Sequence, residues 1–242
     1  MKISRIKFGR MMNYHSDTTA VILAAGLGSR MGDGVTKQRR TVGGKSVLAR
    51  TLLACAASEL VHDVVLVVRE EEFSFANHEA ENTLGGKPFV LVAGGETRQL
   101  SALAGAGAAT GEYIAIHDAA RCVIAPADID RVIRVARESG AASAVAPVYD
   151  TVKQVSDGWI VGTLDRTQLR LAATPQVFRR TEYLAAARAA MHEGVTVTDD
   201  NALMEYAGIS VRAVEPVFPN IKITVAADIA VAEVILKGEN RL

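Results

Sequence analysis

Cysteine is scarce in this 242-residue chain: only Cys55 and Cys122 occur, and neither belongs to a run with metal-ligand spacing. That excludes a disulfide scaffold and a structural zinc site, and with both thiols free a reducing cytoplasm is the expected setting. An excess of either charge is missing too, since 27 Lys and Arg offset 27 Asp and Glu. A general nucleic-acid or membrane-surface binder is therefore not expected, although local basic clusters can still hold anions. No apolar run approaches membrane-spanning length. The first residues, Met1–Asp17, are charged and lack a continuous apolar stretch, so they do not read as a signal peptide. They read instead as a poorly ordered extension. Aromatics reach only 5%, with a single Trp159, yet hydrophobic residues make up 49%, enough for a core without staples.

The stretch with most chemistry is Ala20–Lys37, AVILAAGLGSRMGDGVTK. Ala20–Ala24 is short, apolar and β-branched at Val21 and Ile22, which predicts a buried parallel strand. Gly26 and Gly28 then permit a sharp turn and close approach of backbone to a ligand. Arg30 and Lys37 follow, so a strand end, backbone N–H groups and two cations suit a polyphosphate. A Rossmann fingerprint is excluded because Met31 stands where its third glycine belongs. A Walker A loop ending at Gly44-Lys45-Ser46 fails because Arg39 stands at its first glycine. A simple strand-to-helix turn would need the same two glycines.

Further along, helices are predicted over Ser46–Glu59 (Ser46 as N-cap), Glu70–Glu81, Thr97–Ala109 and Ala127–Glu138. Strands are predicted at Val64–Val68, Phe89–Val92, Tyr113–Ile116 and Ser143–Pro147. This alternation implies an α/β fold: a Rossmann-like, mostly parallel twisted sheet with helices on both faces. Ligands bind such sheets beyond the carboxyl ends of the strands, which would gather Ala24–Arg30, Gly94–Ser101 and His117–Arg121. From Asp150 the pattern changes. Thr151–Val155 and Trp159–Leu164 alternate around Asp157-Gly158, a hairpin signal, with Trp159 either an interface anchor or a cover for the hairpin. Helices are expected at Thr181–His192, Asn201–Tyr206 and Ala227–Leu236, and strands at Ser210–Val214 and Asn220–Thr224. The expected organisation is one domain over 18–242, preceded by the extension at 1–17 and carrying an arm inserted at about 150–166.

Asp118, at the end of a buried strand, can hold Mg²⁺ against phosphate oxygens; equally, it can cap the next helix or pair with Arg121. Its neighbour His117 reads as a packed, hydrogen-bonded histidine. Lys222, between Ile221 and Ile223, would face opposite to both on a strand, towards a site or towards solvent. Asp199 and Asp200 read as an N-cap and a first-turn acid complementing the helix dipole.

Taken in order, AAGLGSRMG with Lys37-Gln38, His117–Arg121 (HDAAR), Asp150–Lys153 (DTVK), Thr174-Pro175-Gln176, Thr198-Asp199-Asp200 and Ile221–Thr224 (IKIT) form a series. The chain resembles the bacterial 2-C-methyl-D-erythritol 4-phosphate cytidylyltransferases of isoprenoid synthesis over nearly all of Thr19–Leu236. The resemblance implies that CTP and the polyol phosphate give a CDP-alcohol and pyrophosphate. It assigns Ala24, Ala25, Gly26, Leu27, Gly28 and Ser29 to the triphosphate, and Arg30 and Lys37 to charge at the α-phosphate. Gly95, Glu96 and Ser101 would recognise cytosine, and Asp118 would hold Mg²⁺. Arg166 and Lys222 would position the attacking phosphate, with Arg121 and Thr151 nearby. The hairpin corresponds to a dimerisation arm, so a homodimer with shared sites is expected, Thr151 and Arg166 serving the partner subunit.

The sequence departs from the family pattern in places. Thr36 replaces the usual proline before Lys37-Gln38, and Arg39-Arg40 replaces an aromatic or aliphatic pair. These arginines read as a solvated charge run. Cys122 follows HDAAR where proline is common, and Asn201 replaces a small residue. Two other functions stay open from sequence: a cytidylyltransferase for ribitol 5-phosphate or another polyol phosphate, and a non-catalytic nucleotide-binding homologue.

Overall fold

Alternation of side chains along the buried strands sets the layers. The computed structural model describes residues 18–26, 36–239 and 241; the expected amino-terminal extension and Leu27–Arg30 lie outside the described residues. The first half of the chain runs β1 (Thr18–Leu23), β2 (Thr41–Val42), β3 (Lys45–Ser46), α1 (Val47–Ala57), β4 (Asp63–Val68), α2 (Phe73–Thr83), β5 (Phe89–Ala93), α3 (Arg98–Ala108) and β6 (Tyr113–Asp118). The second half adds α4 (Pro126–Ser139), β7 (Ala141–Pro147), β8 (Lys153–Ser156), β9 (Trp159–Thr163), β10 (Arg170–Arg179), α5 (Arg180–His192), α6 (Asp200–Tyr206), β11 (Arg212–Val214) and α7 (Ala227–Gly238).

Seven strands form one sheet in the order β11-β7-β10-β6-β1-β4-β5. Every neighbouring pair is parallel except those made by β10. Period-two alternation divides the core: Ala20, Ile22, Val64, Leu66 and Val68 face one cluster, whereas Val21, Val65, Val67, Ile114 and Ile116 face the other. Both faces are apolar, so helices must cover both. Local signals set the helix starts. Ser46 Oγ accepts from the Ala49 amide at 2.9 Å, Thr97 Oγ1 accepts from the Leu100 amide at 3.1 Å, and Pro126 opens α4. No helix among the described residues is long and apolar enough to cross a membrane.

Three expectations needed correction. The helix over Glu70–Glu81 begins as a 3-10 turn at Glu70–Glu72 and becomes α-helical only from Phe73. Ile221–Thr224 is not a strand; it is irregular chain, with Ile223 buried in a third cluster beside Val42, Cys122 and Leu236. β10 was not expected at all. Pro175 lies inside it, and proline normally argues against an interior strand because it lacks the ladder donor. The strand accommodates it by breaking register: pairing with β7 stops at Ala172 and resumes at Gln176, around the cis Thr174-Pro175 peptide.

The hairpin at Asp157-Gly158 is present, with φ of +49° and +83° at its two central residues, as a primed turn requires. Among the described residues β8 and β9 pair only with each other. Trp159 stands 77% exposed rather than covering the hairpin.

Candidate active site

The central strands place the site. β1 and β6 run in parallel with Leu23 opposite Asp118, so Ala24–Gly26 and Ala119–Arg121 leave the sheet side by side. Gly94 follows β5 on the same edge, and a Cβ there would come within 2.4 Å of Ala25 Cβ. The described parts of the three predicted segments, Ala24–Gly26, Gly94–Ser101 and His117–Arg121, therefore do converge. A Cβ on Gly26, by contrast, would meet no atom of the described residues within 4 Å. Gln38 braces the loop from below, Nε2 donating to Ala24 O at 2.7 Å.

Asp118 is the electrostatic centre. Lys222 Nζ donates to one carboxylate oxygen at 2.7 Å and Arg98 Nε to the other at 3.3 Å. Burial would raise its pKa, but Arg98 and Lys222 outweigh that and hold the carboxyl at about 2. It is thus an anion under all ordinary conditions. Arg98 also donates to Asp200 Oδ2 at 2.7 Å, and Tyr183 OH donates to Asp200 Oδ1 at 2.7 Å. Burial pushes Asp200 up despite Arg98. Lys222, Asp118, Arg98 and Asp200 make an open quartet of alternating charge, within which the Lys222 side chain is the more exposed cation, 42% against 30% for Arg98. Lys37 Nζ lies 3.5 Å from the carbonyl of Ile223, the residue after Lys222.

His117 is structural, as expected. Burial, aided by Arg121, pushes its pKa down to about 4 against the pull of Asp118, so the ring is neutral. Its Nε2 faces the Arg121 carbonyl at 3.3 Å and must carry the proton. Nδ1 is then an acceptor for the Thr174 hydroxyl at 3.0 Å, and that hydroxyl in turn accepts from the Asp118 amide at 3.0 Å.

The other candidates make contacts of their own. Arg121 is committed to backbone, donating to Asn220 O at 2.8 Å and Ala172 O at 3.2 Å. The alternative pairing of Asp118 with Arg121 is replaced by Arg98 and Lys222. Ser101 is buried in the first turns of α3, its Oγ accepting from the Gly95 amide at 3.1 Å and donating to Thr97 O at 2.9 Å, whereas Gly95 and Glu96 are exposed. Arg166 donates to Tyr149 O at the root of the arm, and Thr151 is exposed on it; neither joins Asp118 within one chain. Arg39 is exposed, as expected, but not alone: it pairs with Glu72 at 2.9 Å and lies 4.3 Å over the Phe75 ring. Asp199 is the N-cap predicted, accepting from the Ala202 amide at 2.9 Å, and Asn201 adds a bond to Ser143 Oγ at 2.9 Å.

Among the described residues no group of three or more His, Cys, Asp or Glu is arranged to hold a metal. Asp118 is the carboxylate at the mouth of the sheet that could face a divalent cation, through the oxygen that Lys222 now holds, because Mg²⁺ keeps few protein ligands.

A sequence profile of the family "IspD: 2-C-methyl-D-erythritol 4-phosphate cytidylyltransferase" matches residues 18–238. The chain belongs to this family. A cytidylyltransferase of that name from Bacillus licheniformis is 38% identical over 231 residues, covering 95% of this chain and 98% of that protein. A "bifunctional enzyme IspD/IspF" from a Bradyrhizobium species is 43% identical over 216 residues, covering 87% of this chain; the chain spans only 54% of that relative's length. Among solved structures, 4-diphosphocytidyl-2C-methyl-D-erythritol synthase from Anaerococcus prevotii superposes with a TM-score of 0.81 at 28% identity, over 91% of this chain and 96% of that one. Within the IspD motifs, sequence reasoning passed over Arg98, although it is the only cation in the GGETRQLS run, and over the buried role of Asp200. It also passed over Thr174 and Asn220, which lie in or beside quoted motifs.

Proposed function

We propose that this chain transfers CMP from CTP to 2-C-methyl-D-erythritol 4-phosphate, releasing pyrophosphate. The observation that carries this reading is the meeting of Asp118, Arg98 and Lys222 at the carboxyl end of β6, beside the Ala24–Gly26 backbone and near Lys37. An oxygen of the polyol phosphate attacks the α-phosphorus of CTP, and the bond to the pyrophosphate oxygen breaks. The nucleophile is already an anion, so the chain needs no strong general base. Its task is to bring two anions together and to offset charge on the five-coordinate phosphorus and the leaving group. Lys222, the exposed member of the quartet, can exchange Asp118 for the incoming phosphate, while Arg98 stays fixed between Asp118 and Asp200. Lys37 and Arg30 are assigned to the α-phosphate. Asp118 would be the protein ligand of a Mg²⁺ delivered with CTP, which would supply charge neutralisation to the triphosphate.

A homodimer with shared sites belongs to the same proposal. Its support is the self-paired arm with Trp159, Ile160 and Val155 exposed at 77%, 67% and 58%, an apolar surface of the kind that marks an interface. Thr151 and Arg166, which make no hydrogen bond or ion pair with their own Asp118 among the described residues, would then act at the partner subunit.

The test is pyrophosphate release with CTP, Mg²⁺ and either 2-C-methyl-D-erythritol 4-phosphate or ribitol 5-phosphate. Turnover is expected with the first; turnover confined to ribitol 5-phosphate, or CTP binding with no turnover, would overturn the assignment. Lys37→Ala should keep the fold and lower kcat by at least about 10²-fold, and unchanged kcat would remove Lys37 from the mechanism.

A further inference from the structure

Asp118 and Lys222 are 104 residues apart, and Lys222 lies on chain with no helix or strand to fix it. Something else must set its place. Two bonds bracket its backbone: the Ile223 amide donates to Ala120 O at 2.8 Å, and Asn220 Nδ2 donates to Thr174 O at 2.7 Å. The Thr174 carbonyl is available because sheet pairing with β7 lapses between Ala172 and Gln176. The hydroxyl of the same threonine holds the Asp118 amide. One residue of β10 therefore touches the backbone that carries the anion and the side chain that fixes the cation's loop. Asn220 can bind only one way round: turned over, its Oδ1 would face a carbonyl oxygen. Among the described residues its Oδ1 is buried with no hydrogen-bond partner, an exception among buried polar atoms that calls for a reason.

We infer that Thr174 and Asn220 are positioning residues that set Lys222 against Asp118, and hence against the attacking phosphate. The inference rests on the cytidylyltransferase reading for what Lys222 contacts. Positioning matters at this scale because a misplacement of about 1 Å in a reacting group can cost roughly 10²-fold in rate. The Lys222 side chain remains free to leave Asp118, since both brackets act on the backbone.

The experiment compares the full-length wild type with Asn220→Ala and Thr174→Ser. With Asn220→Ala, kcat/KM for the polyol phosphate should fall at least about tenfold while KM for CTP stays within about twofold. A general structural defect would move both. Thr174→Ser keeps the hydroxyl and the carbonyl and should behave as wild type. Independently of activity, acetic anhydride should acetylate Lys222 several-fold faster in Asn220→Ala, read by mass spectrometry with exposed Lys45 as internal reference. Asn220→Asp, nearly isosteric but with an acceptor facing the carbonyl, should give the same pattern if the alanine variant does not stay folded. Equal changes for both substrates, or unchanged labelling of Lys222, would overturn the inference. A wild type inactive on every polyol phosphate would instead overturn the cytidylyltransferase reading, and labelling would still decide the positioning role.

Discussion

Thr36 has φ −66° and ψ 147°, close to the φ that proline's ring enforces. Among the described residues its Oγ1 is buried with no hydrogen-bond partner. The family's usual proline would therefore match this φ and remove that hydroxyl. Thr36→Pro should stabilise the protein by about 0.4–1 kcal/mol, chiefly by restricting the unfolded chain, with a higher urea midpoint and turnover retained. His117 gives a prediction of opposite character. Its folded pKa of about 4 lies below the ordinary 6.5, so between these values the unfolded chain binds the extra proton. Its contribution is fully present above pH 6.5 and is lost as pH falls towards 4, up to roughly 3 kcal/mol. Urea midpoints measured across that range should fall with acidification, and less so in His117→Gln. The departures at Arg39 and Asn201 show why single residues mislead on their own: each found its partner, Phe75 with Glu72 or Ser143, on a different element.

Two glycines in one helix separate packing from propensity. In α3, a Cβ on Gly105 would lie 2.4 Å from Val21 Cγ1 and 2.8 Å from Val67 Cγ2, whereas one on exposed Gly107 would meet nothing within 4 Å. Gly105→Ala should cost about 1–3 kcal/mol by forcing α3 off the sheet. Gly107→Ala should stabilise by up to about 1 kcal/mol, the helix-propensity difference. Thermal melts of both variants decide the matter: equal shifts would mean that α3 is not held by this close approach. Periodicity and caps located α3 and the other long helices because those signals are local. They missed β10 because its proline disguised a strand whose register break is accommodated only by neighbours on both sides. They also took Ile221–Thr224 for a strand, since burial of Ile223 beside an outward Lys222 imitates alternation.

For the molecule as a whole, the open question is how many chains make one site. If Arg166 serves the partner subunit, Lys37→Ala and Arg166→Ala dimers are each impaired, yet a mixed dimer holds one intact site. Equal mixing with exchange should then restore about a quarter of wild-type turnover, by random pairing across a two-fold axis. No recovery would refute the shared site, as would an active monomer at micromolar concentration in sedimentation. Trp159→Glu, placing a charge on the exposed arm, should shift the equilibrium to monomer and lose activity in parallel.

The sequence alone determined the fold class, because apolar strands alternating with helices have one economical arrangement, a parallel sheet covered on both faces. It also located Asp118 at the end of β6, since that follows from where an apolar run stops. Only the tertiary structure decided what Asp118 touches. Arg98 meets Asp200 across 102 residues, and Lys222 meets Asp118 across 104. Contacts of that span are set by the crossing of β10 and by the closure of an irregular loop. No local period encodes either.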